Sequence, residues 1–111
     1  MSTELRDLPA AIRAFIEATN LGDTDAFVAA FTRDAQLDDW GRRFDGHDGI
    51  RAWNRTDNIG KHAHFDLVDA VPGDKSDSYV LTLTVTGGGY NGTGPMRFEL
   101  RDGLIARLLI S

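Results

Sequence analysis

The sequence predicts an α+β protein, a cone-shaped domain in which N-terminal helices pack on a curved, mainly antiparallel sheet and enclose a pocket. Apolar side chains recur at helical spacing through the first thirty residues, whereas the second half alternates apolar and polar side chains between short turns. The length of 111 residues suits one domain, which we take as residues 1–111.

Two helices are predicted at the start of the chain. Asp7 is expected to cap the first helix and Pro9 to lie in its first turn, and Gly22 ends it. Asp23 or Thr24 caps a second, shorter helix. The apolar face of the first helix comprises Leu8, Ile12, Phe15, Ile16 and Thr19. That of the second comprises Phe27, Ala30 and Phe31.

A short strand is predicted from Ala35, where the pattern changes to alternation. Ala35, Leu37 and Asp39 share one face of this strand, and Gln36 and Asp38 share the other. Asp39 is therefore expected to point in the same direction as the core residues.

A third helix and four further strands complete the prediction. The stretch 41–46 is read as a loop, and Asp48 is expected to cap a helix with Ile50, Trp53 and Asn54 on one side. Turns rich in Gly, Asp and Pro then separate four strands, predicted at 62–71, 78–87, 93–101 and 104–110.

Composition excludes several functional classes. The net charge is −5 and the twelve Lys and Arg residues are scattered, which argues against nucleic acid as a partner. The absence of cysteine excludes thiolate metal sites and cysteine nucleophiles. Residues 1–20 mix charged and apolar side chains, so we expect neither a secretion signal nor a membrane partner, and a cytoplasmic location.

Two motifs are set aside as ligand sites. His62, His64 and Asp66 repeat at a period of two, but on the face opposite Phe65, so we expect no metal there. The glycine-rich stretch 87–94 is not followed by a helix that could bind phosphate, and its Asn-Gly pair favours a hairpin turn. We therefore expect no cofactor.

Two stretches of the chain resemble the nuclear transport factor 2-like superfamily, and within it the SnoaL-like polyketide cyclases and ketosteroid isomerases. Residues 15–35 are similar to that family's helical hairpin with its Asn-x-Gly-Asp turn, and residues 44–53 to its Gly-x-x-x-Ile-Arg helix. The resemblance implies the cone-shaped fold and a homodimer through the outer sheet face, here Arg97, Glu99 and Arg101. Because this fold hosts enzymes and binding modules alike, function depends on the site.

Asp39 is the candidate catalytic residue. By resemblance it falls where ketosteroid isomerases carry their general base, and the strand alternation also turns it inward. Partial burial would raise the basicity of this carboxylate. The alternative is that Asp39 caps a turn or pairs with Arg42 or Arg43 at the rim, and the neighbouring Asp38 leaves the register open.

The oxyanion donors of the ketosteroid isomerases are not matched. The resemblance places Phe15 and Met96 where that family has its tyrosine and protonated aspartate, and neither side chain can donate a hydrogen bond. This loss argues against a true ketosteroid isomerase, whereas a cyclase of the SnoaL type needs mainly an acid/base carboxylate and a shaped apolar pocket. We expect an isomerase, cyclase or hydrolase of a small apolar ligand that bears a carbonyl group or several rings. The alternative is a non-catalytic ligand-binding or dimerisation module.

Aromatic and apolar side chains are the candidate ligand contacts. Trp40, Phe44 and Trp53 lie on the loop and helix expected to cover the pocket, where they could stack on a planar ligand or simply close the core. Core positions with a secondary role in the pocket are Phe15, Leu83, Met96 and Phe98.

Overall fold

The computed structural model describes residues 4–111 as three helices packed on a six-stranded sheet, which confirms the predicted α+β class. The helices are α1 (Ala10–Leu21), α2 (Thr24–Ala29) and α3 (Gly46–Asp57). Short 3-10 turns occupy Leu5–Asp7 and Ile59–Lys61. The strands are β1 (Phe31–Asp39), β2 (Arg42–Asp45), β3 (His64–Pro72), β4 (Ser78–Thr86), β5 (Gly92–Arg101) and β6 (Leu104–Ile110).

The start of α1 differs from the prediction. Pro9 occupies the N-cap position, so the expectation that Asp7 caps the helix is wrong. The cause is the proline, because a residue before proline avoids the helical region. Leu8 is accordingly extended, with φ −82° and ψ 156°. Gly22 does end the helix as predicted, in the left-handed conformation with φ 75° that glycine adopts without strain.

The boundary between α2 and β1 also lies earlier than predicted. The Asp23 cap is confirmed, because its side chain accepts a hydrogen bond of 3.1 Å from the Ala26 N–H. Phe31, however, begins β1 instead of continuing the helix, and the strand therefore starts before Ala35. Phe31 pairs with Ile105 of β6, whose N–H donates to the Ala30 carbonyl. This distant pairing overrides the local helical spacing.

The stretch 41–46, read as a loop, contains the edge strand β2, which pairs with β1 as a hairpin. The α3 helix begins at Gly46 and follows Asp45, so the prediction of Asp48 as its cap is wrong. Asp48 lies in the first turn, where a negative charge is still favourable to the helix dipole.

The order of the strands in the sheet is β2-β1-β6-β5-β4-β3. Only the β1–β6 pair is parallel among the paired strands of the described chain. The ends of β1, β6 and β4 and the start of β5 therefore lie at the same end of the sheet. This end carries the candidate site.

The core is one cluster of apolar side chains between the helices and the sheet. Phe15 lies at its centre, with its ring centroid 5.2 Å from those of Phe65 and Phe98 and 5.3 Å from that of Phe27. These rings fill the interior under α1, and a cavity opens toward the strand ends. In the part of the chain that the structure describes, no helix combines the length and the apolar composition needed to span a bilayer.

Candidate active site

A cavity of about 370 Å³ opens at the strand ends, between the sheet and α3. Its volume falls within the range of small-molecule sites. The sheet supplies an apolar wall that comprises Phe65, Leu83, Val85, Met96 and Ile110. The charged side chains come from the β1–β2 hairpin, from the end of α3 and from the turn after it, and they are Asp39, Arg42, Asp57 and Lys61. The cavity is thus apolar on one side and charged on the other.

Asp39, the last residue of β1, lines this cavity. It shares a face of the strand with Ala35 and Leu37, both fully buried, and only 14% of its side chain is exposed. Asp38 points to the other face, where one of its carboxylate oxygens lies 3.9 Å from Arg107. Of the two neighbouring acids, Asp39 is therefore the one at the cavity.

Both hydrogen bonds that Asp39 accepts from described side chains reach the same oxygen. Arg42 Nη2 donates to Oδ2 at 2.6 Å and Trp53 Nε1 donates to it at 2.9 Å. These two donors orient the carboxylate. No described side chain donates a hydrogen bond to the other oxygen, Oδ1.

Arg42 bridges Asp39 to a second carboxylate, Asp57 at the end of α3. Burial raises the pKa of Asp57, but hydrogen bonds from Arg42 and Thr56 outweigh it and leave the pKa below the usual value. The bond to Asp57, followed by the bond to Asp39, raises the pKa of Arg42. The three side chains therefore form a carboxylate–guanidinium–carboxylate chain at the rim.

Trp53 both packs in the core and contacts the cavity, which are the two roles that the sequence predicted for it. Its ring is 4% exposed and stacks on Phe27 with centroids 6.1 Å apart, so it belongs to the core. Its indole N–H reaches Asp39 and the side chain lines the cavity. The core thus fixes the donor that orients the carboxylate.

Two aromatic side chains at the cavity are largely exposed. Trp40 lies in the β1–β2 turn with 74% of its surface exposed, and Tyr90 lies in the β4–β5 connection with 63% exposed. Both line the cavity. Trp40 was a predicted ligand contact, whereas Tyr90 was not.

Of the other predicted ligand contacts, two line the cavity, and Phe15, Phe98 and Phe44 do not. Leu83 and Met96 line the cavity. Phe15 and Phe98 are fully buried in the core and do not line it, because Phe98 lies one inward position further from the strand end than Met96. Phe44, on the short strand β2, packs against the core and carries the Arg42 guanidinium 5.5 Å from its ring centroid.

Sequence reasoning missed Asp57, Lys61 and Tyr90, and considered Arg42 only as a partner of Asp39. A signal for Asp57 was present, because Trp53 and Asp57 are four residues apart and so share one face of α3. Lys61 and Tyr90 follow no such spacing. They reach the cavity through irregular connections.

The histidine stretch lies away from the cavity. His64 and Asp66 are exposed on the outer face of β3, with Nε2 of the histidine 3.3 Å from Oδ1 of the aspartate, and Phe65 between them is buried. Within residues 4–111, no three acidic or histidine side chains are grouped as metal ligands.

Comparisons with known proteins agree with this architecture. The model of a family described as the SnoaL-like domain matches residues 12–108. A predicted polyketide cyclase from Sinorhizobium meliloti has 26% sequence identity, with 98% of this chain and 100% of that chain covered and a TM-score of 0.83. A comparison with curated protein sequences found no match.

Two further solved structures share the fold. A Δ5-3-ketosteroid isomerase from Mycobacterium sp. is 17% identical, with 90% of this chain and 88% of that chain covered and a TM-score of 0.76. A Mycobacterium tuberculosis protein solved in complex with estradiol-17β-hemisuccinate is 15% identical, with 89% of this chain and 88% of that chain covered and a TM-score of 0.78.

Proposed function

This chain belongs to the SnoaL-like domain family, and we propose that it is a cofactor-independent enzyme that transfers a proton on a small apolar compound. The compound bears a carbonyl group or several rings, and the reaction is an isomerisation, a cyclisation or a hydrolysis. The observation that carries the proposal is Asp39, a largely buried carboxylate on the cavity wall whose Oδ1 accepts no hydrogen bond from a described side chain.

The proposed step uses Asp39 as a general base. Oδ1 takes a proton from the carbon next to the carbonyl group, and the electrons of that C–H bond move onto the carbonyl oxygen to give an enolate. In an isomerisation the carboxylic acid returns the proton to a different carbon. In a cyclisation the enolate carbon bonds to a second carbonyl carbon, whose oxygen then receives the proton. Arg42 and Trp53 hold Oδ2 throughout.

The other cavity groups favour a reaction of the cyclase type over ketosteroid isomerisation. Phe15, buried in the core, and Met96, on the cavity wall, carry no hydrogen-bond donor, so neither supplies the oxyanion donor that a ketosteroid isomerase uses. The Lys61 ammonium and the Tyr90 hydroxyl are on side chains that line the same cavity and can donate to an enolate oxygen. The similarity to a predicted polyketide cyclase supports the same reaction class.

The proposed base is tested with a simple ketone. We expect the protein to exchange the α-protons of 2-acetylnaphthalene for deuterium in D2O, and we expect Asp39→Asn to slow this exchange by about a hundredfold or more. Nuclear magnetic resonance of the ketone measures the rate. The matched control is Asp38→Asn on the outer face, which should leave the rate unchanged. Equal rates for wild type and Asp39→Asn would remove Asp39 from the chemistry.

A non-catalytic binding module is the second candidate. The observation that favours it is the ion pair of Asp39 with Arg42, which also serves to shape the rim of the cavity. In this case Asp39→Asn leaves ligand affinity unchanged and no variant alters proton exchange, whereas Trp53→Ala weakens binding by about 2 kcal/mol or more. Calorimetric titration with the same ketone measures that affinity.

We further propose that the partner is a second copy of the chain, bound through the outer face of the sheet. One row of paired residues crosses that face, and its members are Val71, Val80, Arg97, Leu109 and Asp38. The row places apolar side chains beside one positive and one negative charge, and Val71 is 46% exposed. A self-complementary surface of this kind suits a twofold dimer.

A further inference from the structure

Trp40 and Tyr90 belong to different connections at the cavity end of the sheet. Trp40 follows β1, and Tyr90 lies between β4 and β5. Since β6 separates β1 from β5, the two connections are about 10–14 Å apart, or two to three strand spacings. An opening of this width admits a molecule with fused rings.

The backbone at Trp40 is strained. Asp39 pairs with Arg42, so Trp40 and Gly41 form a two-residue hairpin turn, with φ of 52° and 86°. Positive φ at both positions defines a type I′ turn, which favours Asn, Asp or Gly at the first position because bulky side chains are disfavoured there. A tryptophan exposed to 74% gains little from burial in return. Strain of this kind is concentrated at ligand sites.

Tyr90 is exposed, yet its surroundings hold it in place. The Asn91 side chain bonds to the backbone of Gly87 and Gly89, and the Gly88 N–H donates to the Lys61 carbonyl at 2.8 Å. Gly92 has no side chain, and a Cβ atom there would lie 2.4 Å from the Tyr90 hydroxyl oxygen. The ring therefore occupies the space that this glycine leaves.

We propose that Trp40 and Tyr90 form an aromatic clamp at the cavity opening, and that the clamp selects planar ligands with fused aromatic or conjugated rings. The inference rests on the proposed function, because the ligand must occupy the same cavity as Asp39. Flat rings stack on aromatic faces in offset or edge-to-face contacts, which a puckered saturated ring cannot reproduce. Planarity of the ligand, beyond its apolar area, is then what the opening recognises.

A pair of ketones separates planarity from hydrophobicity. Calorimetric titrations of wild type, Trp40→Ala and Tyr90→Ala use 2-acetylnaphthalene and its saturated counterpart 2-acetyldecalin. We expect the wild type to bind the naphthalene more tightly, and each substitution to weaken it by about tenfold while changing the decalin affinity by less than about threefold. Leu104→Ala, an exposed apolar residue outside the cavity, is the control and should change neither.

Trp40→Asn provides a second test that does not depend on loss of stability. Asn-Gly is the preferred sequence of a type I′ turn, so this variant should unfold about 2–5 °C above wild type and still bind the naphthalene about tenfold more weakly. The clamp is contradicted if Trp40→Asn melts at a lower temperature than wild type, or if the affinity for both ketones falls equally. A change of molecular mass in the alanine variants contradicts it as well. Failure of the wild type to bind either ketone contradicts the proposed function as well.

Discussion

Arg42 lies between two carboxylates, and the geometry of the site depends on it more than on any other cation at the cavity. Its guanidinium binds Asp39 Oδ2 and a carboxylate oxygen of Asp57, which joins the β1–β2 hairpin to the end of α3. The guanidinium therefore holds the two carboxylates together at the rim and keeps the pKa of Asp57 below its usual value.

Substitution of Arg42 should make the free energy of unfolding fall less steeply as the pH is lowered. We expect Arg42→Met to lower the free energy of unfolding at pH 7 by about 1–2 kcal/mol, because both carboxylates lose a charged donor. The folded-state pKa of Asp57 is depressed, so its contribution is present above the ordinary value of 3.8 and is lost as pH falls through the lower folded value. The difference between variant and wild type should thus shrink by pH 3 in urea unfolding.

The matched control is Arg43→Met on the same hairpin. Arg43 pairs with Asp45, and more than half of each side chain is exposed. Such a pair contributes little, so we expect Arg43→Met to leave the free energy of unfolding at pH 7 unchanged. An Arg42 variant that matched this control at both pH values would show that the bridge has no structural role.

The orientation of single residues could be predicted only where a regular element determines it. Alternation along β1 correctly turned Asp39 toward the interior and Asp38 away from it. The position of Tyr90 could not be predicted in this way, because the connection 87–91 has no repeating pattern of apolar and polar side chains. Its position depends on hydrogen bonds of Asn91 and on the missing side chain of Gly92.

Among the elements, α3 is joined to α1 by a buried polar network. Asn58 Nδ2 donates to Thr19 Oγ1 at 2.9 Å and to Asn54 Oδ1 at 3.0 Å, and all three residues are at most 3% exposed. The Thr19 hydroxyl donates in turn to the Phe15 carbonyl. These contacts position the end of α3, and therefore Asp57, against the core.

Asn58→Ala should lower the free energy of unfolding by about 2–3 kcal/mol, because the buried Thr19 oxygen loses its donor and Asn54 Oδ1 keeps only a long bond of 3.4 Å from the Ile59 N–H. Urea unfolding followed by tryptophan fluorescence measures the loss. Asn91→Ala is the comparison, since this asparagine bonds only to exposed backbone of its own loop, and it should cost less than about 1.5 kcal/mol. Similar losses for the two variants would contradict a special role of the buried network.

Elements with a strong periodic pattern were predictable, and those set by distant partners were not. The last three strands lie within one residue of their predicted bounds. The β2 strand has four residues, mostly charged and exposed, so it carries no alternation that sequence analysis could detect. Its existence depends on pairing with β1 across the Trp40–Gly41 turn.

At the scale of the whole molecule, the outer sheet face is the interface of the proposed dimer. The proposed dimer has twice the chain mass of 12.2 kDa. Val80 lies near the centre of the row that crosses this face, between Val71 and Arg97. Val80→Lys would bury a second positive charge beside Arg97, so it should shift the mass to that of one chain.

Light scattering coupled to size-exclusion chromatography measures this shift. Leu21→Lys is the matched control, because Leu21 is 83% exposed at the end of α1 and lies off the sheet, and it should leave the mass unchanged. Circular dichroism of both variants should match wild type. A wild-type mass of 12.2 kDa would contradict the dimer directly.

The position of β6 has a consequence for how the candidate site assembles. The strand with Asp39 and the strand with Met96 do not pair with each other, since β6 lies between them and pairs with both. During synthesis, the Asp39 carboxylate and the apolar wall of the cavity therefore stay apart until residues 104–110 leave the ribosome. Contacts so remote in sequence form slowly, and a ribosome-bound chain stalled before this strand would lack the proposed activity.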